Sequence, residues 1–150
     1  MKKIKLILIL ACVFMVNVAS MCSSDDSSSS SSSSPSTSQV TQSVTNGNWT
    51  VTLYNESGSI HTSDFSGYAF NFASSGDMTA VNGSSIQTGS WSTYRDSSRT
   101  KMDIGFSAVS GSFESISEDW DVLSTSSTKI ELKHTSGGDG SVDYLTFEKI

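Results

Sequence analysis

A chain of 150 residues and 16.0 kDa has room for one ordinary domain. It carries 9 lysines and arginines against 15 aspartates and glutamates, a net charge of −6, which argues against nucleic acid, whose phosphates need basic side chains to displace counterions. Both cysteines, Cys12 and Cys22, fall in the first 22 residues, so no disulfide can staple the rest of the chain and the core must supply its own stability.

The chain opens with Met1-Lys2-Lys3-Ile4-Lys5 and an apolar run from Leu6 to Val16, the charged and apolar regions of a secretory signal. Asn17 and Ser20 interrupt the run before it reaches the ~20 residues of a membrane span, so residues 1–21 are predicted to be a signal peptide rather than an uncleaved anchor helix. A mature chain beginning at Cys22 would lose three lysines and carry 6 bases against 15 acids, a net charge of −9. Ala19-Ser20-Met21-Cys22 resembles the lipobox of bacterial lipoproteins, which implies acylation of Cys22 and attachment to a lipid bilayer, with the outer membrane as the expected location. Lipidation at Cys12 and plain secretion after cleavage at Ser20 are the rivals. Ser23-Ser24-Asp25-Asp26 resembles the acidic export signal of Bacteroidetes surface lipoproteins; the plainer reading is that Asp25 and Asp26 solubilise a tether.

Residues 22–45 are read as that tether. Ser27 to Ser34 is an unbroken serine run followed by Pro35, Ser36, Thr37 and Ser38, with no apolar side chain to bury, and disorder is expected. From Ser27 to Thr45 a flexible chain would span about 25 Å on average.

From Asn46 to Ile150 the pattern is that of strands: short runs of alternating apolar and polar residues punctuated by Gly, Asn, Asp and Ser. The predicted strands are 48–54, 67–73, 77–81, 86–94, 101–107, 120–124, 129–134 and 142–149. In the first, Trp49, Val51 and Leu53 share one face and Tyr54 the other; in the second, Tyr68, Phe70 and Phe72 face inward. Gly76 and Asn82-Gly83 supply hairpin turns. Between the fifth and sixth strands, Phe113 and Ile116 have the spacing of one face of a short helix. The expected fold is all-β, an eight-stranded antiparallel up-and-down barrel with one short helix, because adjacent hairpins need no crossing and closure removes exposed edges. A two-sheet sandwich is the alternative.

Gly47-Asn48-Trp49, opening the first strand, resembles the Gly-x-Trp signature of the lipocalins. The later order of GYAFNF, GSWS, DWDVL, KIEL and DYLTFEK is similar to the lipocalin-like domains of Bacteroidetes lipoproteins. The resemblance covers residues 46–150 and implies an eight-stranded barrel able to hold a small apolar ligand. The last strand offers Lys149 where lipocalins carry an arginine over the tryptophan, so the likeness is to the broad group.

No cluster announces a reaction. His61 and His134 are the only histidines and are read as surface residues; no catalytic residue, metal site or cofactor is expected, and the chain is read as a non-enzyme. The acidic stretches Glu118, Asp119, Asp121 and Asp139, Asp143 are weighed for calcium and read as solvated turns, since neither has the spacing that wraps an ion. Trp49, Tyr68, Phe70, Trp91, Phe106, Trp120 and Phe147 are the candidate core or ligand-cavity residues, because an eight-stranded barrel is just wide enough either to be filled by side chains or to admit one small ligand. Two functions are compatible with this pattern: a membrane-anchored module binding a small hydrophobic molecule or glycan, or an accessory subunit of an outer-membrane assembly with a filled barrel.

Overall fold

The computed structural model describes residues 34–108 and 110–150. The signal peptide, Cys12, Cys22, Asp25 and Asp26 lie outside the described residues. Strands β1 (Asn48–Glu56), β2 (Ser59–Ile60), β3 (Ala69–Phe72), β4 (Asp77–Asn82), β5 (Ser85–Asp96), β6 (Arg99–Phe106), β7 (Asp119–Thr125), β8 (Lys129–Thr135) and β9 (Val142–Lys149) form one antiparallel sheet. Two helices, α1 (Thr37–Val44) and α2 (Ser112–Ser115), and a 3-10 turn at Thr62–Phe65 complete the fold.

From β3 to β9 each strand pairs with the next, and β1 closes the ring by pairing with both β3 and β9. The result is the expected eight-stranded meander barrel, with no free edge around the ring. The small β2 strand is extra: it folds back on the far half of β1 through Asn55↔Ile60 and Glu56↔Ser59.

Alternation places the wall residues as read, except where bulges intervene. Thr52 is an extra residue between the pairs Val51↔Phe147 and Leu53↔Thr146. A one-residue insertion exchanges the faces of everything after it, so Tyr54 is buried and Leu53 only half-buried, the reverse of the expected assignment. Leu123 is the extra residue of a second bulge, between Val122↔Leu132 and Ser124↔Glu131, and it is left exposed.

The tether reading needs a larger correction. Residues 37–44, expected to be disordered, form α1, started by a capping box: Ser36 Oγ accepts from the Gln39 amide and the Gln39 side chain accepts from the Ser36 amide. Val40 and Val44, four residues apart on one face, are fully buried in the barrel core. The low-complexity run therefore ends at the barrel. Ser34 Oγ accepts from the Thr100 amide at 3.0 Å, and the Thr100 hydroxyl donates to the Pro35 carbonyl.

Because connections alternate, the barrel has two distinct ends. At the first lie α1, the chain terminus after β9 and the β3–β4, β5–β6 and β7–β8 turns; at the second lie the 3-10 turn, α2 and the β4–β5 and β8–β9 turns. Both are plugged, the first by Val40 and Val44, the second by Phe65, Phe113 and Ile116, and all five belong to one hydrophobic core.

Candidate functional site

The barrel interior is where the sequence put a ligand, and there the structure places Trp49, Phe70, Trp91, Phe106, Trp120 and Phe147 together. Tyr68 packs against the same cluster from the rim, with its hydroxyl 2.9 Å from Ser85 Oγ. The rings interlock. Phe70 lies 5.2–6.2 Å between centroids from Phe65, Phe106, Phe113 and Phe147, and the file continues through Phe147 to Phe72 at 5.5 Å and Phe72 to Trp91 at 5.7 Å. Most of these contacts are edge-on, the arrangement that the ring quadrupole favours.

Trp49, Phe70, Met102, Trp120, Ile130 and Phe147 have 0% exposure. A chamber able to hold even one water would leave accessible area on the side chains lining it. Among the described residues, the middle of the barrel is filled.

The three tryptophans also explain how the ends are held. Each indole N–H donates to a backbone carbonyl in a segment that closes the barrel: Trp49 to Val44 at 2.8 Å, Trp91 to Ala73 at 2.9 Å and Trp120 to Ile116 at 3.0 Å. A buried indole must find such a partner; here the partner is a plug or turn. The Gly-x-Trp pattern gains a physical reason. Gly47 adopts φ +107°, and a Cβ there would fall 2.7 Å from Cε of Lys149, the residue directly opposite Trp49. Only glycine lets the chain turn from α1 into β1 at that point.

With the interior occupied, the chemistry sits on the outer wall. Register aligns Tyr94↔Lys101, Lys101↔Asp121, Asp121↔Lys133 and Lys133↔Tyr144 in one row across five strands. Residues directly opposite share a face, so the row is a charged seam between two half-exposed tyrosines. Arg99 meets Asp121 at 2.7 Å, and Lys101 Nζ lies 3.1 Å from Asp121 and 3.2 Å from Asp119. Burial works against the Asp121 charge, but Lys101 and then Arg99 outweigh it and hold the carboxyl below its ordinary value. The same balance raises Lys101: burial opposes its charge, and Asp121 and Asp119 more than offset it. A hollow of about 360 Å³ opens beside the seam, lined by Asp96, Ser97, Ser98, Arg99, Lys101 and Asp121. It offers donors and acceptors to a polar group; Arg99, Lys101 and Asp121 are paired with one another, and Asp96 accepts from the Ser97 hydroxyl.

The acidic stretches behave as turns and partners. Asp139 accepts from the Ser141 amide at 2.9 Å, and that bond holds its carboxyl below the ordinary value. Asp143 accepts from the Ser57 amide at 2.8 Å, fastening a residue with φ +52°. His61 lies 3.7 Å from Asp64 and 4.0 Å from Glu56. His134 departs from the surface reading: its side chain is only 14% exposed, its ring packs edge-on against Trp120 at 5.9 Å, and Nδ1 is 3.2 Å from the Asp119 carbonyl. Glu118, Asp119 and His134 bring potential ligand atoms within 4.8 Å of one another. Sequence reasoning singled out Glu118 and Asp119 but not their juxtaposition with His134, because β7–β8 pairing, not spacing, brings it there. Lys101 already occupies one Asp119 oxygen, a bound cation that competes with any metal. Tyr54 is protonated and donates to the Ser115 carbonyl at 3.2 Å; burial, with Glu56 and Asp143, pushes its hydroxyl up.

No family model matches this chain, and no curated protein is significantly similar to it. Among solved structures it is similar to a DUF4847 family protein from Bacteroides vulgatus, at 14% identity and a TM-score of 0.50, over 74% of this chain and 97% of that one. At that identity the likeness is one of fold: the chain shares a β-barrel architecture with this protein.

Proposed function

We propose that this is a lipid-anchored, non-catalytic protein of the bacterial cell envelope whose filled barrel serves an outer-membrane assembly through its outer surface. The observation that carries the reading is the occupied interior: with the central side chains at 0% exposure, a small apolar ligand has no room between the rings. A glycan or protein partner would meet the outer wall and the two ends instead. His61 lies beside Glu56 and Asp64, and His134 beside Glu118 and Asp119; no reaction is assigned to either. Anchoring is supported by the lipobox-like Ala19-Ser20-Met21-Cys22 and the acidic pair Asp25 and Asp26 beyond it. Two or three acyl chains on Cys22 suffice for a lasting hold, since each buried methylene contributes ~0.8 kcal/mol.

Native mass spectrometry of the protein purified from its own cells and released from its lipid is the direct test. The expected species is the bare chain. A stoichiometric adduct of a few hundred daltons would overturn the filled-barrel reading in favour of a carrier. Intact mass of the membrane fraction tests the anchor: a diacylglycerol-modified Cys22 is expected, and an unmodified N-terminus at Met21 would rule it out.

A further inference from the structure

We propose that the α1 end of the barrel rests against the anionic lipid surface that carries acylated Cys22, and that the opposite, acid-rich end is the face presented outward. The inference rests on the anchor reading above and adds an orientation to it. The first support is where the tether stops. Ser34 and Pro35 are fastened to Thr100 at the α1 end, so only the 12 residues Cys22 to Ser33 remain as a leash. A chain of that length reaches about 40 Å at most. The β5 strand alone is 12 residues long, roughly 40 Å along its path and near 30 Å in height once tilted. Acylation of Cys22 therefore limits how far the α1 end can stand from the bilayer, while the opposite end is held only through the height of the barrel.

The second support is charge. The segments that make up the α1 end, residues 34–47, 73–76, 97–98 and 126–128, contain no charged side chain. They offer serine, threonine, glutamine and asparagine, and a hollow of about 280 Å³ lies between Gln39 and Gln42 of α1 and Ser126 of the β7–β8 turn. Arg95, Arg99, Lys129 and Lys149 stand at the strand ends around this base, with Asp77, Asp96 and Glu148 among them. The segments of the other end, 57–68, 83–84, 107–118 and 136–141, contain Asp64, Glu114, Glu118 and Asp139 and no lysine or arginine. An anionic headgroup layer repels that end more than the hydrogen-bonding base, whose helix and turns carry no charged side chain, within a Debye length, about 8 Å at physiological salt.

Ser84 and Ser127 are exposed in turns at opposite ends. The test places a donor dye on S84C or S127C of the acylated full-length protein in phosphatidylethanolamine–phosphatidylglycerol vesicles bearing a rhodamine headgroup acceptor. Transfer is expected to be about twofold or more higher from position 127 than from 84, since the two ends are separated by roughly a strand length. Protein retained on the vesicles with equal or reversed transfer would overturn the orientation alone; protein that washes off would overturn the anchor and the orientation with it. Changing Gln39→Glu and Gln42→Glu together keeps the capping box and is expected to bring the ratio toward one. A ratio that does not move would overturn the role given to charge.

Discussion

The two ends of the barrel are closed by opposite means. At the α2 end the plug is aromatic and irregular: Phe65 from a 3-10 turn and Phe113 from a four-residue helix meet edge-on at 5.4 Å, and Phe113 meets Phe106 at 4.8 Å and Tyr68 at 5.0 Å. At the α1 end the plug is two valines on a regular, capped helix whose other residues are serine, threonine and glutamine. The aromatic plug is built from large rings that need little backbone regularity, because each buries a large area. The aliphatic one buries little per residue and depends on a cap and on the Trp49–Val44 hydrogen bond. Energy is thus concentrated at one end and spread over several small interactions at the other.

Truncating each plug separates these two designs. Phe65→Ala at the α2 end removes a fully buried ring with three aromatic neighbours and is expected to cost about 3–5 kcal/mol, read as a fall in the urea midpoint. Val44→Ala at the α1 end is expected to cost about 2 kcal/mol. Its more specific sign is faster amide exchange confined to residues 37–45, with α2 amides unchanged. Equal exchange at both ends would show that the plugs unfold as one unit.

The wall between the ends provides a third measure. Asp121→Asn leaves Arg99 without its carboxylate while Lys101 keeps Asp119, and a loss of about 1–2 kcal/mol is expected at neutral pH. Because the folded-state pKa of Asp121 lies below its ordinary 3.8, its contribution is complete above that value and is lost as pH falls through the folded one. Lys101 is raised above 10.5, so its share is complete below that value and lost as pH rises through the folded pKa. The stability gap between wild type and Asp121→Asn is therefore expected to hold on a plateau from about pH 5 to 10 and to narrow on both sides. A gap that persists undiminished at pH 2 would remove the ion pair as its cause.

The wall and the short α2 helix with Phe113 and Ile116 were legible in the sequence; Phe65 and the α1 plug were not. Period-two alternation marks eight strands within a few residues of their observed bounds, since one face of each must be apolar. It fails at Tyr54, where the bulge at Thr52 changes the face, because a bulge leaves no compositional trace. Phe65 in HTSDFSG has no periodic neighbour and is buried only because the chain folds back there. The α1 helix did leave a signal: Ser36-x-x-Gln39 is a capping box, and Val40 and Val44 are spaced one turn apart. The surrounding serines hid it, since composition averaged over a window reads as a tether. For the interior, the candidate residues were identified by type, but whether they line a chamber or fill one depends on rotamers and ring contacts that no spacing encodes.

That capping box gives a finer test of the α1 plug. Ser36→Ala removes the side-chain acceptor for the Gln39 amide and is expected to cost about 1 kcal/mol, with Ser36→Asp restoring most of it. Because the plug closes the end through small increments, the loss is expected to appear in the exchange of Val40 and Thr41 before it appears in the global midpoint.

The smallest effect is expected from the last residue of β7, beside the same plug. Thr125 Oγ1 is buried without a hydrogen-bond partner among the described residues, while hollows lined partly by Thr125 run along Pro35 and Gln39. A buried hydroxyl with no partner carries a desolvation cost that a methyl of the same shape does not. Thr125→Val is therefore expected to be neutral or to stabilise by up to about 1 kcal/mol, with no change at the α2 end. If an ordered water bridges the hydroxyl to α1, the substitution would instead destabilise and speed exchange in residues 37–45. The sign of this one measurement thus reports whether the aliphatic plug is sealed by dry contact or by water.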